Sequence, residues 1–463
     1  MLPDDVFLRV EFCHVDESLY EWWHMLVHVC RRWRQLILAS PRRLNLHLLC
    51  TFRKPVKKKL TCWPAIPIAI CDNGVNESIY SLRQLRQDNL FAVLEHCDRV
   101  RSVALGLTSP LLTKVAVMMQ RPFPALIRLR LALLPSPYSS VPILPDGFLG
   151  GSASCLQEIR LTGISFPALP TLLLSASDLV DLHLCNIISP TSISPEAIVT
   201  GLTATIRLKD LSIEFHPASF PYQRVVTPLT RAVLPALTRF RFQGDYKYLE
   251  DLVGQLDCPR LKSIIVSYSN QFIDAHVSQL FQFIDRAEDL KLAQFRRAQV
   301  HFWCRIISIG LDSSQAAPHP SHISLKFLHP WSNLQVRSMR QLIQSSAIFT
   351  TVRHLSIYVV YREQCDVDNA EWPELFHLFP AVETLRVGGE LVLLIDPVLD
   401  DLTKEMVVKV FPALRFLNLD GRPTRSVQRF IAARRLSGCP VTIVKTLEEF
   451  ERLEACSETE DVR

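Results

Sequence analysis

The chain carries the residue types of several chemistries, but few stand at the spacings those chemistries need. His24 and His28 lie four residues apart, where two imidazoles on one helix face could share a metal ion. No glutamate follows His24, as the zinc-hydrolase pattern requires, and no third ligand is evident, so no metal is expected there. Asp400 and Asp401 read as a solvated pair of carboxylates rather than an acid/base couple. Cys439, ahead of Pro440, and Cys456 lack neighbours that would hold a thiolate. The chain has no G-x-S-x-G elbow, no G-x-x-x-x-G-K-[ST] phosphate loop and no G-x-G-x-x-G turn. The expectation is a non-catalytic protein that takes no cofactor.

Composition narrows the class further. In 463 residues, 48% are hydrophobic and 21% charged, enough to build a core and too apolar for general disorder. A net charge of +5, with both signs interspersed, is too weak to make nucleic acid the expected partner. The 13 cysteines are scattered without metal-finger spacing, which suits free thiols in a reducing compartment. The start, Met1 to Asp5, is acidic and lacks the apolar stretch of a secretory signal. No apolar run approaches the ~18 residues of a membrane helix. A cytosolic or nuclear protein that does not engage membrane is expected, with the sequon at Asn76 unused.

The elements that would position any functional residue begin with helices. Leu26, Val29, Cys30, Trp33, Leu36 and Ile37 recur at three- and four-residue spacing, so the pattern predicts a helix over 24–38, ended by Ser40-Pro41. Pro3 suits a helix start, with Asp4 and Asp5 near the positive end of its dipole. Two or three such short helices in about 45 residues need a larger body to lean on.

Leu2-Pro3-Asp4-Asp5-Val6-Phe7-Leu8, followed by Cys30-Arg31-Arg32-Trp33, resembles the F-box motif, which opens on Leu-Pro and closes on a Cys-basic-x-Trp helix. The stretches Glu21 to His24 and Ala39 to Arg42 are similar to the F-box families of mushroom-forming fungi. The resemblance implies a three-helix module over 1–45 that docks on a Skp-type adaptor and, through it, a cullin-based ligase. It also implies that Leu2, Pro3, Val6 and Leu8 form the docking surface, supported by Cys30 and Trp33. The function it implies is substrate recruitment to an SCF-type (Skp-cullin-F-box) ubiquitin ligase. The alternative is a non-ligase interaction scaffold in which these helices only cap the body.

From about residue 97 one fragment returns: apolar, two variable, apolar, one variable, apolar. It reads Val100, Val103, Leu105, then Leu126, Leu129, Leu131, then Leu156, Ile159, Leu161. Further copies start at Leu179, Leu208, Leu237, Leu261, Val352, Val382 and Leu414, and weaker ones lie at 289–292 and 322–325. The first seven starts are spaced 23 to 30 residues apart, as in leucine-rich repeats. Alternation sends the fragment's apolar residues to one face of a short strand, and stacked repeats bury that face together. The expected fold is α/β: the helical module, then an irregular leucine-rich-repeat solenoid over 76–456, a curved parallel sheet with helices outside. Residues 46–75, with Lys54, Lys57, Lys58 and Lys59, are expected to form a linker, 135–154 and 310–322 long loops, and 457–463 an acidic tail.

The strand residues between the inward ones should form the open face, where a repeat protein offers a broad preformed surface. Arg128, Arg130, Arg160, Arg239, Arg241 and Arg386 fall there and are the candidate contacts to a substrate protein, with Asp181, Asp210 and Glu214 interspersed. Arg239 and Arg241 flank Phe240 and should point the same way, toward an acidic or phosphorylated partner.

Overall fold

The structure, a computed structural model, describes residues 28–32, 34–35, 47–50, 56–62, 66–72, 80–135, 141–188, 193–217, 231–268, 278–303, 306–313, 321–328, 335–360, 371–389, 398–399, 404–419 and 423–444. Each clear copy of the repeated fragment is a turn feeding a strand. The first apolar residue donates its N–H to the carbonyl three residues earlier: Leu126 to Phe123, Leu237 to Leu234, Leu261 to Cys258, Val382 to Phe379 and Leu414 to Phe411. In all five the next residue is a proline, at the turn position whose backbone its ring presets. The apolar triads are buried throughout: Leu179, Leu182 and Leu184, for example, are at most 2% exposed. Each such side chain contributes about 1.5–3 kcal/mol when removed from water.

The chain forms two compact units, Met1–Phe220 and Pro221–Arg463. Unit 1 contains β1 (Leu48–Cys50), β2 (Ile68–Asp72), β3 (Val100–Leu107), β4 (Arg128–Leu133), β5 (Glu158–Thr162), β6 (Asp181–Ile187) and β7 (Asp210–Phe215). They lie side by side in chain order, every neighbouring pair parallel. The crossovers carry α1 (Lys57–Cys62), α2 (Tyr80–Leu94), α3 (Ser109–Met118), α4 (Leu169–Leu173) and α5 (Pro195–Leu202). Between β4 and β5 a 3-10 turn, Phe148–Gly151, replaces the helix. α4 and α5 approach so closely that a Cβ on Gly201 would sit 2.8 Å from the Pro170 carbonyl oxygen.

Residues 46–75 are not a bare linker. They hold β1, α1 and β2, and both strands pair in the sheet. Three of the four lysines that suggested a solvated connector, Lys57, Lys58 and Lys59, stand on α1, whose Leu60 is buried. The repeat body therefore begins well before residue 76.

Unit 2 opens with β8 (Ala232–Val233), β9 (Arg239–Gly244), α6 (Tyr246–Gly254), β10 (Leu256–Asp257) and β11 (Ser263–Tyr268). It continues with α7 (Ser278–Arg286), α8 (Glu288–Leu292), β12 (Phe295–Trp303), β13 (Ile306–Ser313) and β14 (His322–Leu328). The rest is α9 (Gln335–Gln344), β15 (His354–Val360), α10 (Glu371–His377), β16 (Thr384–Gly389), α11 (Lys404–Lys409), β17 (Phe416–Leu419), α12 (Arg425–Leu436) and β18 (Thr442–Val444). The main sheet runs β9-β11-β14-β13-β12-β15-β16-β17-β18, while β8 and β10 form a separate parallel pair.

The parallel expectation fails at β12–β13–β14. β13 is antiparallel to both neighbours, and β12 lies two places beyond β14. The inserted hairpin preserves polarity, since β14 is parallel to β11 and β12 to β15. Two of the weaker sequence readings change accordingly. Residues 289–292 belong to α8, with Leu292 80% exposed, and residues 310–313 end β13 rather than open a loop. The copy at 322–325 is a strand, β14.

The helices pack against the apolar side of the strands. Phe240 of β9 meets Phe283 of α7 at 5.7 Å between ring centroids, and Phe302 of β12 meets Trp372 of α10 at 5.4 Å. Helix ends are tied across repeats. The Glu250 carboxylate of α6 accepts from the Gln279 and Leu280 N–H groups at 2.8 and 3.1 Å, and Arg286 donates to the Val253 and Leu256 carbonyls at 3.0 and 3.3 Å. These side chains serve backbone groups that a helix leaves unpaired at its ends. Among the described residues no helix is long and apolar enough to cross a membrane.

Candidate functional site

With one side of each sheet against helices, the alternate strand residues make up the open side. In unit 1 the register places Arg128, Glu158, Asp181 and Asp210 at one level, and Arg130, Arg160, His183 and Ser212 at the next. Glu158, only 6% exposed, organises this surface. Arg130 grips it in bidentate fashion, Nε to Oε1 at 2.7 Å and Nη2 to Oε2 at 3.1 Å, and Arg160 Nε reaches Oε1 at 2.6 Å. Two of the arginines expected to await a partner are thus ion-paired within the face. Glu158 was not read as a site residue. Its signal lay in the strand register, which sets it diagonal to Arg130.

Beyond Glu158 the negative charge continues. Burial, then Asp210 and Glu158, pushes the Asp181 carboxyl above the usual carboxylate range. Burial holds the His183 imidazole below its ordinary value, with Asp210 pulling the other way. His183 Nε2 stands 3.9 Å from Asp210 Oδ1, and it has no hydrogen-bond partner.

The open side of unit 2 differs. Arg239 and Arg241 are both exposed while Phe240 between them is 1% exposed, so the pair does project the same way. Further along lies a stack of planar groups that sequence reading missed. The rings of Trp303 and His301 are 5.2 Å apart and 10° from parallel, and those of His301 and Tyr358 are 4.8 Å apart and 12° from parallel. The Arg386 guanidinium carbon lies 5.3 Å from the centre of the Tyr358 ring. Register explains the stack. His301 and Tyr358 are directly opposite across β12 and β15, and Gly388, opposite Tyr358 on β16, has no side chain to obstruct the diagonal approach of Arg386. Its sequence signal was the alternation of residues 295–303 with aromatics at the outward positions. Asp312 and His322 pair across β13 and β14 at 2.7 Å, so the only carboxylate of this face among the described strand residues already has a cationic or hydrogen-bonding neighbour.

Leu2, Pro3, Val6, Leu8 and Trp33 lie outside the described residues, as do His24, Asp400, Asp401 and Cys456. Cys30 is described and exposed, as are Arg31, Arg32, Arg34 and Gln35 around it, and Val29 is 60% exposed. The Arg34 N–H donates to the Cys30 carbonyl at 3.1 Å, a helical turn where the spacing predicts a helix.

No protein-family model and no curated protein matches this sequence. Among solved structures, the leucine-rich repeat-containing protein LegL7 from Legionella pneumophila is similar over 86% of this chain and 99% of its own, at 10% identity and a TM-score of 0.25. That likeness is too slight to argue from. The recurring turn, buried triad and parallel register of the chain itself make its body leucine-rich-repeat-like, an architecture suited to protein–protein interaction.

Proposed function

We propose that the protein is a non-catalytic, substrate-recruiting adaptor of an SCF-type ubiquitin ligase. Its repeat body takes a substrate protein on the open strand face of unit 2, and its N-terminal segment docks on a Skp-type adaptor linked to a cullin. The observation that carries the first half is the face on which exposed Arg239 and Arg241 stand with the Arg386–Tyr358–His301–Trp303 stack. Cations and flat rings there suit an acidic or phosphorylated segment, because guanidinium groups bind carboxylate and phosphate in paired hydrogen bonds. The second half rests on the resemblance of Leu2 to Leu8 and Cys30 to Trp33 to the F-box motif, with the exposure of Val29 and Cys30 in support.

One co-purification experiment tests both halves. Leu2→Ala with Pro3→Ala should reduce recovery of the Skp-type adaptor, since a buried apolar anchor is worth about 1–3 kcal/mol. The same variant should retain the substrate. Arg239→Glu with Arg241→Glu should do the reverse at unchanged melting temperature. Undiminished adaptor recovery by the first variant would leave an interaction scaffold whose N-terminal helices are a cap. Undiminished substrate recovery by the second would move the site off this face.

A further inference from the structure

We propose that Asp181, His183 and Asp210 form a binding site for a first-row divalent cation on the open face of unit 1. Asp181 and His183 are alternate residues of β6, and Asp210 is directly opposite Asp181 on β7. His183 Nε2 and one oxygen from each carboxylate all lie within 4.8 Å of one another. A cation about 2.0–2.2 Å from each would draw them to about 3.5 Å apart, a movement within reach of aspartate side-chain rotation.

Two observations favour a cation at the cluster. Like charges directly opposite on adjacent strands repel, and here they continue a row that already includes Glu158. At 3.9 Å from Asp210, the His183 Nε2 is beyond hydrogen-bond range. That nitrogen is screened from solvent without a partner, and its side chain is only 15% exposed. Such an atom is what a coordinate bond would satisfy.

The donor set indicates the class of cation. One imidazole with two carboxylates suits zinc, manganese, iron or cobalt better than the all-oxygen shells of calcium and magnesium. Three protein ligands leave at least one position on the open side, which water fills. The ligands stand on paired strands rather than on a loop, so the backbone is already ordered before the cation arrives.

Cobalt(II) is a discriminating probe because the chain contains 13 cysteines, whose thiolates give cobalt an intense charge-transfer band that an oxygen/nitrogen site lacks. The chelator-stripped full chain should take up one cobalt ion with weak visible bands and no thiolate band, and its melting temperature should rise. His183→Gln and Asp210→Asn should each weaken that uptake more than about tenfold. If either variant melts below the stripped wild type, Asp181→Asn serves in its place. Equal uptake by wild type and variants would overturn the site, as would uptake whose only signature is the thiolate band.

Discussion

The two units use one repeat to make two surfaces. In unit 1 the strands stack in chain order, and side chains at equivalent positions of successive repeats come face to face. Charges placed on neighbouring strands become each other's partners, as Arg130 and Glu158 do, and Arg160 joins them from Glu158's own strand. In unit 2 the β12–β13 hairpin brings β12 beside β15, with Trp303 and His301 standing outward next to Tyr358. There the Arg386 guanidinium lies against the ring of Tyr358. The difference teaches that register between repeats decides whether an outward arginine meets a carboxylate, as Arg130 does, or a ring, as Arg386 does.

The largest test of this contrast lies in how unit 2 ties its helices together. Arg434 of α12 is fully buried, with its guanidinium donating to the carbonyls of Val407, Val410 and Leu414 at 3.0, 3.1 and 3.3 Å. Arg434→Ala removes those bonds and leaves a cavity, for an expected loss of about 3–5 kcal/mol. Hydrogen exchange should show β16 to β18 losing protection. Unchanged protection there would mean that apolar packing alone holds these repeats.

A smaller effect is expected from the stack. Tyr358→Ala removes both the ring under Arg386 and the partner of His301, costing about 1–2 kcal/mol in stability. Recovery of an acidic partner should fall at the same time. If stability falls and recovery does not, the stack serves unit 2 as packing and Arg239 and Arg241 carry the binding.

The smallest effect carries the opposite sign. The Asp181 carboxyl has its pKa raised in the fold, so its ionisation opposes folding above that raised value and the cost disappears as the pH falls through it. Asp181→Asn should therefore stabilise the cation-free protein at neutral pH, by about 1 kcal/mol or less, and lose that advantage in acid. His183 works the other way. Its pKa is lowered in the fold, so its neutral form supports folding above the ordinary histidine value near 6.5, and that support is lost as the pH falls below it. Thermal melts from pH 7 down to 4 on wild type and Asp181→Asn would check both signs. Destabilisation by Asp181→Asn at pH 7 would mean that the carboxylate is held by attraction.

Much of this was legible in the residues. The apolar triads, the prolines of the lead-in turns and the outward arginines all follow from a period of two and from a ring that presets a turn, both local properties of the chain. The strands at 48–50 and 68–72 went unread because their apolar runs are short and lie among lysines and prolines. The weak copy at 289–292 misled because Leu290 and Leu292 alternate as a strand would, yet the segment is one helical turn with only Leu290 buried.

What the sequence determined by itself is which side chains turn inward and which outward on each strand, because alternation within a strand needs no knowledge of its neighbour. Only the tertiary structure decided who meets whom. Glu158 finds Arg130 across 28 residues, Asp181 faces Asp210, and Tyr358 stacks on His301, all through pairings set by the crossovers between strands. A crossover's length and path are fixed by how its helix packs on the sheet, and a change of one strand's place would exchange every partner on the open face while leaving each strand's own pattern intact.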